Sequence, residues 1–166
     1  MKVPSKTLPK VAVKRVSSER ELGQAFAIRI RVFVKEQGVP REIELDGDDQ
    51  DAIHFLATVG PRPVGTARVV RHGGTAKIGR MAVLKSYRRR GVGKKLLTRT
   101  LAVARQAQAR QIYLHAQVAV SGFYERMNFR PVGAIFDEAG IAHRKMIWRA
   151  PLPVVARRRT GRRNQS

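Results

Sequence analysis

The chain has 166 residues and no cysteine, and 34 Lys and Arg stand against 12 Asp and Glu for a formal net charge of +22. Without cysteine, disulfide scaffolds and thiolate chemistry are excluded, which fits a reducing cytoplasm. The length suits one α/β domain with a real core, and no apolar run approaches the ~20 residues of a membrane-spanning helix.

Residues 1–10 carry Lys2, Lys6, Lys10, Pro4 and Pro9 and read as a loose basic arm, with no signal-type apolar segment behind it. VAVKRV (11–16) alternates as a first strand. Ser18-Glu19-Arg20-Glu21 is a capping box opening a helix through Leu22, Phe26, Ile30 and Phe33, which Gly38 and Pro40 stop. The acidic stretch 41–51 has no clear period and is expected as a loop with room for a helical turn.

IHFLATV (53–59), VGTARVVR (64–71) and AKIGRMAVL (76–84) follow as a three-stranded meander. A helix from about Val92 to Ala109 puts Leu96, Leu97, Thr100, Leu101 and Ala104 on one face. QIYLHAQV (111–118) is a strand reached through that helix, and so parallel to the one before it. VSGFYERM (120–127) spaces its apolar residues as a short amphipathic helix, and Asn128 suits the left-handed residue after it. FRPVGAIF (129–136) and IAHRKMIWR (141–149) flank a turn and make a hairpin. Residues 11–150 thus form one domain, and 151–166 are a basic tail with nothing to bury. The order describes a mixed central sheet of about six to seven strands with helices on its faces, α/β or α+β.

Charge is unevenly placed. Between Ala52 and Phe136 the only acid is Glu125, against sixteen Lys and Arg. From Glu36 to Asp51 there are seven acids: Glu36, Glu42, Glu44, Asp46, Asp48, Asp49 and Asp51. A basic body attracts polyanions at low salt, nucleic acid included, but it is equally a solvated surface.

The densest basic run, Arg88-Arg89-Arg90-Gly91-Val92-Gly93-Lys94-Lys95, lies between an apolar strand and a helix. Free N–H groups and the dipole at a helix start hold phosphate well. Two nucleotide motifs fail here. Lys95 stands where a Walker A loop needs Ser or Thr, and Leu96 where a dinucleotide fingerprint needs a small residue.

What remains is Arg88-x-x-Gly91-x-Gly93. It resembles the acetyl-CoA pyrophosphate loop, Gln/Arg-x-x-Gly-x-Gly/Ala, of the GNAT superfamily of N-acyltransferases. GRMAVLKSYRRRGVGKKLL matches that family's strand, loop and helix, and FYERMNFRPVG (123–133) resembles its late Tyr-x-x-x-Gly-Phe segment. The run Arg29 to Gln37, then Glu44-Leu45-Asp46, Asp49, His54 and the late Gly140-Ile141-Ala142-His143, looks like the small bacterial ElaA-like branch.

The resemblance implies direct acetyl transfer from acetyl-CoA to a primary amine of a small molecule or protein. It implies pyrophosphate binding by the backbone from Arg88 to Lys94, with Arg88, Arg89, Arg90 or Lys94 adding charge. It also implies that the strand before the loop splays from its neighbour, freeing backbone groups of Met81, Ala82 and Val83 for the pantetheine arm. Tyr124 becomes the general acid for the leaving thiolate, although its spacing fits a core role equally well.

Gln117 replaces an Asn that often steadies the cofactor, and Asn128 replaces the usual Gly. On the acceptor side the resemblance marks Arg29, Glu36, His54 and His143. For the general base the candidates are His54, His143, Glu36 and Glu44, and both histidines, lying within strands, read first as structural. The acidic 42–51 stretch either attracts a cationic amine or is a solvated loop. No metal is expected, because four scattered histidines without cysteine make no ligand cluster.

Two other functions fit the residues. One is a nucleic-acid-associated protein using the basic body and tail, which could also tether an acetyltransferase. The other is a catalytically silent CoA-binding module. The final hairpin could extend a sheet across a homodimer.

Overall fold

In a computed structural model, residues 9–153 are described. Most of the expected basic arm and tail, 1–8 and 154–166, lies outside them. Strand β1 (Val11–Arg15) leads into helix α1 (Glu19–Arg29). Ser18 Oγ accepts the Glu21 N–H at 3.2 Å, and the Glu21 carboxylate accepts the Ser17 N–H at 3.0 Å, so the capping box forms one residue wide of its usual partner. Helix α1 then widens into a π-helical stretch, Ile30–Glu36, where the Gln37 N–H reaches back to the Val32 carbonyl at 3.2 Å. Gly38, at φ 73°, ends it.

The acidic stretch is more ordered than its sequence pattern indicates. It holds helix α2 (Arg41–Glu44) and a 3-10 turn at Gly47–Gln50. The remaining elements are β2 (Ile53–Val59), β3 (Arg62–His72), β4 (Thr75–Val83), α3 (Val92–Gln106), β5 (Gln111–Gln117), α4 (Ser121–Glu125), β6 (Phe129–Glu138) and β7 (Ile141–Trp148). They form a seven-stranded sheet in the order β1-β2-β3-β4-β5-β7-β6. Every neighbouring pair is antiparallel except β4 and β5, the pair joined through α3.

The sheet buries both faces. Helix α3 sets Val92, Leu96, Leu97 and Ala104 against Phe55, Val64, Val69, Ile78 and Leu114 on one side. Fully burying each of those leucines contributes roughly 1.5–3 kcal/mol. Helix α1 covers the opposite side of β2–β4 with Ala25, Ile28 and Val32 on Leu56 and Ala82.

Strand β4 carries the feature that matters for the site. Arg68 pairs with Gly79 and Thr66 with Ala82, so two residues, Arg80 and Met81, oppose the single Ala67. Arg80 takes φ 49°, the backbone of a bulge. The extra residue reverses which side chains face which helix. Ile78 packs in the α3-side core, whereas Ala82, four residues on, packs under α1.

Candidate active site

Past the bulge, β4 and β5 part. Their pairing runs from Thr75 with Gln111 to Ile78 with Leu114 and stops there. Beyond that point β4 stays with β3, while His115 to Gln117 of β5 pair with Lys145 to His143 of β7. A cleft of about 720 Å³ opens between them, with Met81, Ala82, Val83, Gly91, Val92, Gly93, Lys94, Arg89 and Tyr124 among its walls.

The loop at one end is built for an anion. Gly91 sits at φ 78° as the residue before α3, and Lys95 donates its N–H to the Gly91 carbonyl at 3.1 Å. The N–H groups of Val92, Gly93 and Lys94 therefore precede the first α3 bond and point outward. A Cβ on Gly91 would meet no atom within 4 Å, so its requirement for glycine comes from backbone conformation, not space.

The basic side chains divide their work. Arg88 is held in place: its Nε donates to the Val83 carbonyl at 2.9 Å and its Nη2 pairs with Glu36 at 2.8 Å. Arg90 does not line the cleft; its guanidinium lies over the Tyr87 ring at 5.4 Å. Arg89 and Lys94 are the loop cations left facing the cavity. Glu36, expected on the acceptor side, instead braces Arg88 from the end of the π-helical stretch.

Tyr124 projects from α4. Its ring meets Phe123 edge-on at 5.0 Å and Phe129 at 6.1 Å, and its hydroxyl lies 4.0 Å from the Met81 sulfur. Burial pushes the phenol up to about 12, so it stays protonated through the neutral range. Asn128 takes the left-handed conformation at φ 67°, as expected of a residue in a glycine's place. Gln117 exchanges two hydrogen bonds with Gln37, at 2.9 and 3.3 Å, and ties β5 to the start of the 38–40 turn.

Like Glu36, two more expected acceptor-side residues do not line this cleft. Arg29 is buried at 1 % exposure in an ion network. Its Nε donates to Glu44 at 2.7 Å and its Nη1 to Asp49 at 2.7 Å. His54 is buried too, with Nε2 2.9 Å from the Asp49 carbonyl and its ring edge-on to Phe26. Both serve the packing of the 41–51 segment, because arginine and histidine facing a buried carboxylate-rich turn are consumed there.

The same network answers the question of the acidic stretch. Arg68 binds both oxygens of Asp46 at 2.6 and 2.8 Å and also reaches Asp49, and Arg80 bridges Asp46 and Glu44. Three arginines from α1, β3 and the β4 bulge neutralise Glu44, Asp46 and Asp49. The Arg68 guanidinium holds the Asp46 carboxyl down at about 2. Burial pushes Glu44 up despite Arg29 and Arg80 beside it. These acids pin a segment and are not free to attract an amine, and Glu44 is tied up as a base.

His143 does reach the cleft, its Nδ1–H donating to the Ile141 carbonyl at 2.7 Å. Sequence reasoning missed His115, Glu138, Lys77 and Arg80, which line the same cleft. The alternation of QIYLHAQ marks His115 as facing away from the α3 core, the one available signal. Among the described residues no group of three or more His, Asp or Glu side chains is arranged to hold a metal, and no helix is long and apolar enough to cross a membrane.

Residues 14–150 match the family model described as an acetyltransferase (GNAT) domain. The chain belongs to the GNAT acetyltransferase family. It is 40% identical over 134 residues to a Bacillus subtilis protein whose name calls it an acetyltransferase, covering 79% of this chain and 91% of that one. ElaA of Escherichia coli is 33% identical over 135 residues, 76% of this chain and 88% of its own. The ElaA crystal structure superposes with a TM-score of 0.76, covering 84% of this chain and all of that one. An acyl-CoA N-acyltransferase of Pseudomonas aeruginosa, 28% identical, superposes at 0.73 over 85% of this chain and 99% of that one. The GNAT family and the ElaA likeness read from the sequence are thereby shown, and with them an enzyme of acyl or acetyl transfer.

Proposed function

We propose that this acetyltransferase moves an acetyl group from acetyl-CoA directly to a primary amine of a small molecule or protein. The observation that carries it is the parting of β4 from β5 beside the left-handed Gly91 at the start of α3. One edge frees backbone groups for an amide-rich arm, and the other presents three N–H groups and two cations to a pyrophosphate.

Acetyl-CoA supplies the activated thioester when bound. The N–H groups of Val92, Gly93 and Lys94 hold the pyrophosphate, and Arg89 and Lys94 attract its charge. Arg88 acts from behind, locking the end of β4 to the π-helical stretch through Val83 and Glu36. Backbone groups of Met81 and Ala82, released from β5, bind the pantetheine arm. An N–H there would stabilise negative charge developing on the thioester oxygen. Tyr124, held protonated by burial, gives its proton to the leaving thiolate.

The test is direct. Saturating acetyl-CoA should raise the melting temperature, because a ligand specific to the native state stabilises it by mass action. A panel of amines assayed for CoA release then names the acceptor class. No thermal shift with acetyl-CoA and no CoA release from any amine would sink the reading.

A further inference from the structure

The wall of the cleft opposite α1 carries a cluster that the mechanism above does not use. Strand β5 turns Tyr113, His115 and Gln117 to this side, and β7 turns His143 and Lys145 to it. Glu138, at the end of β6, reaches between the two histidines. Its Oε1 lies 3.5 Å from His115 Nδ1 and its Oε2 lies 3.5 Å from His143 Nε2. Phe136 completes the set, edge-on to His115 at 5.0 Å and stacked on His143 at 6.1 Å.

We propose that His115 is the general base that takes the acceptor amine's proton, with Glu138, placed between His115 and His143, orienting it. This rests on the acetyl-transfer reading above and names the group that reading leaves open.

The geometry gives each member a distinct task. His115 Nδ1 is buried and has no hydrogen-bond partner among the described residues, and the nearest acceptor is Glu138. An Nδ1–H aimed at that carboxylate leaves the lone pair on Nε2, the tautomer a base requires. His143 Nδ1–H is committed to the Ile141 carbonyl, so its Nε2, 3.5 Å from the second carboxylate oxygen, donates there only when the ring is an imidazolium. Glu138 thus lies between the two rings although its side chain is 41% exposed. The carboxylate–imidazole pairing is the arrangement that steadies an imidazolium once it forms.

Electrostatics favour a resting neutral base. Burial, and next the Lys77 ammonium from β4, hold the His115 imidazole below the ordinary histidine range, while Glu138 acts against them. His143 and, across the register on β7, Lys145 complete the ionisable groups around it. A carboxylate alone in this basic wall would lack the tuned affinity for a proton that a neutral imidazole has.

The step balances. The amine nitrogen bonds to the acetyl carbon and the carbon–sulfur bond breaks. His115 Nε2 takes the ammonium proton and so frees the attacking lone pair, the acylated nitrogen loses its second proton to water, and Tyr124 gives its proton to the thiolate. After product leaves, His115 returns its proton to solvent through the open side of the cleft and Tyr124 regains one.

The experiment uses the full chain, with CoA release read from benzylamine, spermidine, glucosamine, glycinamide and methoxyamine. His115→Gln should lower kcat/KM for the protonated amines by about 10²–10⁴-fold and remove the acidic limb of the pH profile. The loss should be much smaller for methoxyamine, which is already unprotonated at neutral pH. Added imidazole should restore part of the activity in His115→Ala. The acetyl-CoA thermal shift should match wild type in both variants.

NMR titration of the histidine rings gives a readout independent of turnover. Glu138→Gln should lower the His115 midpoint further and shift the His143 ring signals. A wild-type pH profile in His115→Gln, or a His115 midpoint indifferent to Glu138→Gln, overturns the inference. Should wild type itself show neither the thermal shift nor CoA release, it is the acetyl-transfer reading that fails, and the NMR arm still decides whether Glu138 couples the two rings.

Discussion

The Tyr124 hydroxyl lies 4.0 Å from the sulfur of Met81, the second residue of the β4 bulge. The two residues belong to elements 43 positions apart in sequence. The bulge turns Met81 toward the α3 side of the sheet, where α4 delivers the phenol, so the hydroxyl faces the strand stretch released from β5. A thioether is a weak acceptor and leaves the phenol proton available.

Tyr124→Phe keeps the ring contacts with Phe123 and Phe129 and removes only the hydroxyl. It should lower kcat by about 10²-fold or more and leave acetyl-CoA affinity within about twofold. Because burial sets the phenol at about 12, wild type should not lose this acid below that pH. Alkaline decline in the wild-type rate at pH 8–9 that vanishes in Tyr124→Phe would contradict the assignment. Steady-state kinetics across the pH range, with isothermal titration for affinity, makes the check.

Arg29 is the keystone of the 41–51 segment. Replacing it by Met leaves Glu44, buried to 2 %, with Arg80, and Asp49 with Arg68, as the remaining arginine partners among the described residues. Breaking one partner out of a buried pair costs roughly 3–5 kcal/mol. For a domain of this size that lowers the melting temperature by roughly 2–4 °C per kcal/mol. Glu44→Gln should cost less, because the amide keeps an acceptor for Arg29 and loses a carboxylate whose ionisation burial disfavours. Thermal unfolding of the two variants side by side tests the ranking.

The parts of this molecule that follow from local chemistry were legible in the sequence. Alternation and helical spacing give all seven strands and the long helices, and the helix between β4 and β5 gives their parallel sense. Asn128 announces a left-handed turn and adopts it. The β4 bulge was not legible, since its left-handed residue is Arg80, a type that carries no turn signal.

The ion network was not legible either. Arg29 meets Glu44 and Asp49 across 15 and 20 residues, and Arg68 meets Asp46 across 22. Pairing between side chains on different elements leaves no period in the sequence, so acids consumed by arginines look the same as acids left free. Glu138 between two histidines was hidden for the same reason.

Asp46 gives the fold an acid-side signature. Its carboxyl is held at about 2 against an ordinary 3.8, chiefly by the Arg68 hydrogen bonds. A depressed acid stabilises the fold when ionised, so its contribution is complete above about pH 4 and fades as pH falls toward 2. Asp49 shifts in the same direction: burial pushes it up, and Arg29 and Arg68 more than offset that. Urea unfolding at a series of pH values from 5 to 2 should show stability falling, and Asp46→Asn should flatten part of that slope while lowering the plateau. An identical slope in the variant would remove Asp46 from the linkage.

The loop at α3 separates conformation from charge. Gly91→Ala places a Cβ at φ 78° with no atom near it, so the cost is backbone strain alone, about 1–2 kcal/mol. The loop can relieve that strain by moving, which misaligns the N–H groups of Val92, Gly93 and Lys94, and acetyl-CoA affinity should fall with only a modest loss of stability. Arg89→Gln with Lys94→Gln tests the other half. Both side chains face the cleft and neither has an ion pair among the described residues, so the unliganded melting temperature should stay close to wild type. Acetyl-CoA binding should weaken and lose part of its salt dependence, since two cations no longer meet the phosphates. Titrations at low and high salt distinguish the cases: a salt slope unchanged in the double variant would mean that the backbone alone reads the pyrophosphate.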